Sequence, residues 1–248
     1  MRKNILINIS FDGKNYHGWQ IQKNALTVQE VFQESLKKVL KHVPEIKGCS
    51  RTDTGVHANN YFISSKIDSK ISIKRLKLAV NRYLPVDIVV KDCFEVSDNF
   101  HARYSCIGKE YVYKIWNDKI RNPFLSKHAL FYWNNLEVDF LNKAAKIFIG
   151  KRNFKSFCTV DKRNSENMIR KVEYFDVYKE KNNIVIFRVK ADGFLYNMVR
   201  IMVGTLLKIN KNKNINLEEI LNSQNRKLSG PTAPACGLYL NKLFYEEF

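Results

Sequence analysis

Apolar and polar residues alternate from the start of the chain. Ile5, Ile7 and Ile9 alternate with Asn4, Leu6 and Asn8 and lead to Phe11, a period of two that predicts a strand. Asp12-Gly13 predicts a turn. From Thr27 to Val43 the period lengthens, with Val31, Leu36, Val39 and Leu40 on one helical face. Thr27 and Glu30 form a capping pattern at its start. Lys37, Lys38 and Lys41 suit the electrostatics of its end. Tyr61-Phe62-Ile63-Ser64-Ser65 predicts a second strand. Ser72 caps a second helix carrying Ile73, Leu76, Ala79 and Val80, and Pro85 closes it. Asp87-Ile88-Val89-Val90 and Cys93-Phe94 predict another strand. Strand, helix, strand, helix, strand is an α/β half of roughly 100 residues.

The second half repeats this grammar loosely. Lys109 to Trp116 alternates as a strand, Phe140 to Phe148 is helical, and Gly150 ends that helix. Val172 to Tyr178 and Ile184 to Val189 form a hairpin across Lys179 to Asn183. The strongest helical pattern runs from Leu195 to Ile209, with Leu195, Met198, Val199, Met202, Val203, Leu206 and Leu207 on one face. A short helix over Leu217 to Leu221 and a strand over Gly237 to Phe244 complete the chain. The expected class is α+β. Two halves, 1–104 and 105–248, carry antiparallel sheets with helices on one face, and the ligand site is expected in the cleft between them.

Charge narrows the choice of partner. The 248 residues carry 42 Lys+Arg against 24 Asp+Glu, a net +18, which favours a polyanion such as nucleic acid. No run of 18 apolar residues predicts a spanning helix. Met1-Arg2-Lys3-Asn4-Ile5 does not begin a signal peptide, so a cytoplasmic protein is expected. Cys49, Cys93, Cys106, Cys158 and Cys236 are scattered, with no Cys-x-x-Cys pair and no zinc-finger spacing, and read as reduced thiols.

Between the first helix and the second strand lies Gly48-Cys49-Ser50-Arg51-Thr52-Asp53-Thr54-Gly55-Val56-His57-Ala58. Arg51, Asp53 and His57 crowd a turn flanked by Gly48 and Gly55, where reactive groups tend to be displayed. Three readings compete for Asp53. It can be an ordinary turn residue. Asp53-Thr54-Gly55 is also the aspartic protease tripeptide, but a second copy is absent, so only a homodimer would supply the paired carboxylate. Third, an Asp held ionised by an arginine can act as nucleophile or in acid–base work. Cys49, close by, is a nucleophile candidate or a small packed residue.

Ser50 to Ala58 resembles the Gly-Arg-Thr-Asp-Ala-Gly-Val-His-Ala signature of the tRNA pseudouridine synthase A family. It departs from that signature at Ser50 and Thr54, and Asn59-Asn60-Tyr61 replaces a usual Gly-Gln. Phe11-Asp12-Gly13 followed by His17-Gly18-Trp19-Gln20 resembles the family's entry segment. Four further blocks match in order: Phe100-His101-Ala102-Arg103-Tyr104-Ser105, Lys109-Glu110-Tyr111-Val112-Tyr113, Phe194 to Arg200 with Gly204, and Ala233 to Leu238. On pattern alone Trp19 is either a core anchor or an RNA platform. Tyr111 and Tyr113 share one strand face, so either is also a core candidate.

The resemblance implies a fold of two RRM-like/ferredoxin-like halves whose antiparallel sheets join around a central catalytic cleft, the pseudouridine synthase fold. It implies conversion of uridine to pseudouridine in the anticodon arm of tRNA, at positions 38 to 40, without cofactor or metal. Asp53 would be the catalytic residue. Tyr111, Arg51, Arg200 and His57 would serve the substrate: Tyr111 stacking on the uracil, Arg51 filling the space it vacates, and Arg200 keeping Asp53 charged. The family implies a homodimer in which one tRNA touches both subunits. The altered residues Asn59-Asn60 leave another RNA, such as a ribosomal one, as an alternative, and a non-catalytic RNA-binding relative is the other.

Overall fold

The computed structural model describes residues 2–160 and 167–246. Its strands, in chain order, are β1 (Arg2–Phe11), β2 (Lys47–Gly48), β3 (His57–Asp68), β4 (Ile88–Val96), β5 (Cys106–Asn117), β6 (Leu130–Tyr132), β7 (Gly150–Asn153), β8 (Ile169–Lys179), β9 (Ile184–Ala191) and β10 (Leu238–Tyr245). Its α-helices are α1 (Val28–Leu40), α2 (Ile73–Asn81), α3 (Val138–Ala145), α4 (Met198–Lys211) and α5 (Leu217–Asn222). The class is mixed α+β with mostly antiparallel pairing. Two compact units form: Met1–Ile107 together with Tyr239–Phe248, and Gly108–Leu238. The terminal strand thus groups with the first unit, which no local pattern announces.

In the first unit β1 lies between β3 and β4, antiparallel to both. Ile5, Ile7, Ile9 and Phe11 are buried as the alternation predicts, but Leu6 on the other face is buried too. That face is covered by the chain after β4: Asn4 Nδ2 donates to the carbonyls of Ser97 and Phe100. Helix α1 buries Val28, Phe32, Leu36 and Leu40, a strict i, i+4 series, which leaves Val31 and Val39 at its margin. Thr27 caps it as predicted, accepting from Glu30 N at 3.4 Å. It ends three residues before Val43, because Lys41 turns left-handed at φ 66°. At its start β3 also pairs in parallel with β10, through Tyr239–His57 and Leu240–Ala58.

In the second unit β9 lies between β5 and β8, and β7 extends the sheet from β8. The β8–β9 hairpin turns at Asn182 and Asn183, both at positive φ, as tight hairpins require. Phe148, Phe154, Phe157 and Phe175 form a fully buried aromatic cluster. Helix α4 starts at Met198 rather than at Leu195, since Asn197 is left-handed at φ 62°. Asparagine tolerates that conformation, and apolar spacing cannot report it. Burial of α4 extends almost all round, to Ile201 and Thr205 as well as the expected face.

Gly204 explains how α4 is covered. A Cβ there would lie 1.8 Å from the carbonyl oxygen of Pro231, and a Cβ on Gly230 would lie 2.3 Å from Gly204 O. Two backbones therefore cross in direct contact. Thr205 Oγ1 secures the crossing by accepting from Gly230 N at 2.8 Å. Among the described residues no helix is long and apolar enough to cross a membrane.

Helix propensity alone would favour Gly204→Ala by about 1 kcal/mol. The clash with a backbone carbonyl outweighs it. Urea unfolding of Gly204→Ala is expected to show a net loss of about 2 kcal/mol, and equal or greater stability would contradict the backbone crossing.

Candidate active site

The signature loop is held by the segment that follows β1. Trp19 N donates to Thr52 O at 3.3 Å, and Gly55 N donates to Tyr16 O at 3.2 Å. Both contacts demand missing side chains. Gly18 sits at φ 82°, and a Cβ on it would lie 2.2 Å from Thr52 O. A Cβ on Gly13 would lie 2.0 Å from Val56 O. Within the loop, Val56 N donates to Asp53 O at 3.1 Å, with Gly55 at φ 78°. This is a β-turn with glycine where positive φ is needed, and Asp53 is its first residue.

An aromatic floor lies under the turn. Trp19 is 2% exposed and packs on Tyr61 with ring centroids 4.3 Å apart, which settles it as a core anchor. The Tyr61 hydroxyl donates to Ser50 O. Cys49 is buried, as the packed reading expects, and its N–H donates to Phe62 O at 2.9 Å. Asp53 is half-buried, whereas Arg51 and Thr54 are exposed.

His57 is 1% exposed. Its Nδ1 accepts from Gly13 N at 3.1 Å and lies 3.0 Å from Asp12 Oδ1. Its ring stacks on Tyr239 at 4.6 Å. The substrate contact expected of His57 finds no exposed surface here. The side chain instead ties the Asp12-Gly13 turn, the loop and β10 together.

In the second unit Tyr111 and Tyr113 do share a face of β5, and both are buried. Tyr113 is wholly so. Burial pushes its hydroxyl well above the ordinary tyrosine range, partly opposed by the charge of Arg200, and it remains a neutral donor to Pro234 O at 2.8 Å. Tyr111 meets Phe194 edge to face at 5.1 Å. Arg200 lies in the first turn of α4. Its Nε donates to Ala233 O at 2.7 Å and its Nη1 to Asn197 Oδ1 at 2.9 Å, while its own carbonyl accepts from Ala233 N at 3.1 Å. Asn197 is steadied in turn by Thr159 Oγ1 at 3.0 Å. A long, flexible side chain is thereby given one orientation.

Three of the matched sequence blocks are thus one structural feature. β5, the start of α4 and the Ala233–Leu238 segment converge on the carbonyls of Ala233 and Pro234. Gly237 completes the approach, because a Cβ there would lie 2.7 Å from the Tyr113 ring. Sequence reasoning gave Gly13 only a turn, and gave no individual role to Tyr16, Asn197 or Pro234. Most of them act through backbone atoms, which leave little trace in residue type.

The first unit thus carries a carboxylate on a rigid turn, and the second a clamped arginine and a strand tyrosine, on a chain of net charge +18. A family model described as tRNA pseudouridine synthase matches residues 7–105 and 144–246. The tRNA pseudouridine synthase A of Thermoanaerobacter sp. (strain X514) is 43% identical over 246 residues, covering 98% of this chain and 100% of that protein. The enzyme of that name from Staphylococcus aureus (strain MRSA252) is 38% identical, over 98% of this chain and 92% of its own length. The tRNA pseudouridine synthase A 2 of Clostridium perfringens (strain 13 / Type A) is 42% identical over 98% and 100%. This chain belongs to the tRNA pseudouridine synthase family, a family of isomerases.

Gly18→Ala tests the loop's seating. The added methyl must displace Thr52 O, one residue before Asp53. A displacement of about 1 Å at a reacting group costs about 100-fold in rate. The expected outcome is a fall of that order in kcat for pseudouridine formation, with circular dichroism showing the fold retained. Wild-type kcat would show that the contact does not position the loop.

Proposed function

We propose that this chain converts uridine to pseudouridine at positions 38 to 40 of the tRNA anticodon arm, with Asp53 as the catalytic residue. Isomerisation of uridine in tRNA is the family's reaction. The bond from uracil N1 to the sugar breaks, the base turns, and carbon 5 bonds to the same sugar carbon. Carbon 5 gives up its proton and N1 gains one, so no electron donor or acceptor is consumed. An ionised carboxylate serves this chemistry as nucleophile or by stabilising charge that develops at the sugar.

The observation that carries the assignment is the loop itself. Its Ser50 to Ala58 signature is seated backbone against backbone, and it leaves Asp53 half-buried at the head of a turn. The roles of the other residues follow the family resemblance. Arg200 keeps the carboxylate charged. Tyr111 stacks on the uracil once it has left the helix, recovering part of the unstacking cost, and takes part in moving the carbon-5 proton. Arg51, exposed beside Asp53, fills the space the base vacates. His57 acts indirectly, by holding the loop.

Asp53→Asn keeps the volume and removes the charge. Filter binding is expected to show tRNA affinity within about threefold of wild type, while tritium release from carbon-5-labelled tRNA disappears. An active Asp53→Asn enzyme would remove Asp53 from the chemistry. Mapping pseudouridine in RNA from a deletion strain identifies the uridines chosen.

We further infer a cytoplasmic homodimer, as the family resemblance implies. Light scattering at micromolar concentration is expected to give twice the chain mass, and an active monomer would overturn this.

A further inference from the structure

The block Phe100-His101-Ala102-Arg103-Tyr104-Ser105 has no part in the reaction above. Its inward residues are explained by packing. Phe100 is 7% exposed and Ala102 is fully buried. Ala102 N donates to Ser64 Oγ at 3.1 Å, and Ala102 O accepts from the Tyr245 hydroxyl at 2.8 Å. Around that anchor His101 builds a tight turn. Its Nδ1 accepts from the backbone N–H groups of Arg103 at 3.0 Å and Tyr104 at 3.3 Å. Ser105 closes the turn, its Oγ accepting from His101 N and its N–H donating to His101 O. Accepting at Nδ1 requires the neutral ring with its proton on Nε2. Burial, aided by the charge of Lys47, holds His101 below its ordinary 6.5 and so maintains that form at neutral pH.

The outward residues have no such explanation. Tyr104 is 77% exposed and Arg103 is exposed. The Tyr104 ring is backed by the His101 ring at 4.4 Å, and the Arg103 guanidinium lies 5.7 Å from its centroid. A lone exposed tyrosine would mean little. This one stands on a turn fixed by six hydrogen bonds and is flanked by cationic and aromatic groups. His101 also lines a cavity of ≈ 510 Å³ in which Arg2, Lys47 and Lys66 are balanced by Glu45, Asp68 and Asp98, so the cationic group that faces the Tyr104 ring is Arg103. A guanidinium beside a rigid, open aromatic face suits an unstacked base with its phosphate.

Position separates this surface from the reacting base. Ser64, which anchors the turn, lies seven residues along β3 from His57, or about 20 Å at strand rise. We propose that the Phe100–Ser105 turn is a second RNA contact of this chain: Tyr104 stacks on an unpaired base of the same tRNA, and Arg103 binds the adjoining phosphate. The proposal rests on the tRNA reading above and adds a subsite to it.

The test uses the full chain, a tRNA transcript, filter binding at several salt concentrations, and tritium release. Tyr104→Ala is expected to raise Kd and KM about tenfold, with the loss falling on KM rather than kcat. Tyr104→Trp, which keeps a stacking face, is expected to stay within about twofold of wild type. Arg103→Gln is expected to flatten the salt dependence of log Kd by about one unit of slope. Unchanged Kd in Tyr104→Ala, or an equal loss in Tyr104→Trp, would overturn stacking. A changed oligomeric state with unaltered RNA affinity would assign the surface to a protein contact and overturn it too. Absence of tritium release from wild type would sink the proposed reaction instead, while the binding measurements still judge this surface.

Discussion

Everything asked of Asp53 depends on backbone touching backbone where no side chain fits. Gly13 lies against Val56, Gly18 against Thr52, and Gly55 supplies the positive φ that turns the loop between them. Loops are ordinarily the least determined parts of a fold. This one is fixed by atoms that cannot change rotamer, the kind of placement that the role proposed for Asp53 requires. The arrangement has a cost. Thr52 Oγ1 is buried with no hydrogen-bond partner among the described residues, a loss of roughly 1–3 kcal/mol. The Trp19–Tyr61 packing and the paired main-chain hydrogen bonds must outweigh it.

The second unit reaches the same end by similar means. Gly204 and Gly230 let a connecting segment lie directly on α4, which places the Ala233 and Pro234 carbonyls where Arg200 and Tyr113 donate. Arg200 is thereby oriented by main-chain oxygen and by Asn197 rather than by a partner charge alone. In both units glycine sets position and the charged residue receives it. Substituting the glycine and substituting the charged residue should therefore leave different kinetic traces.

Periodicity made much of this architecture legible, because strands and amphipathic helices write their burial into residue type. The existence of α1, the Ser72 cap and the β8–β9 hairpin were readable in that way, whereas the buried face of α1 falls on Val28 and Phe32 rather than on Val31 and Val39. The signature loop was readable as a polar turn that gathers Arg51, Asp53 and His57, but Asp and Gly are ordinary turn residues and composition alone left that reading open. The start of α4 was not, because Asn197 interrupts an apolar pattern that continues unbroken through it. Nor was the structural duty of His57. A histidine beside an aspartate suggests reactivity, and only burial beneath Tyr239 tells otherwise. Pairings carried by main-chain carbonyls, such as Tyr113 with Pro234, leave no compositional sign at all.

The parallel pairing of β10 with β3 bears on how the molecule matures. His57 stacks on Tyr239, and Asn59 reaches Asn241 across 182 residues of chain. During translation all of Gly108–Leu238 leaves the ribosome before Tyr239 does. A nascent first unit therefore has its helices and three main strands in hand while His57 still lacks its ring partner. The closure is a long-range step, slow by its loop entropy. The signature loop is thus among the last parts of the chain to be completed, and a chain cut short before Tyr239 would leave it unfinished.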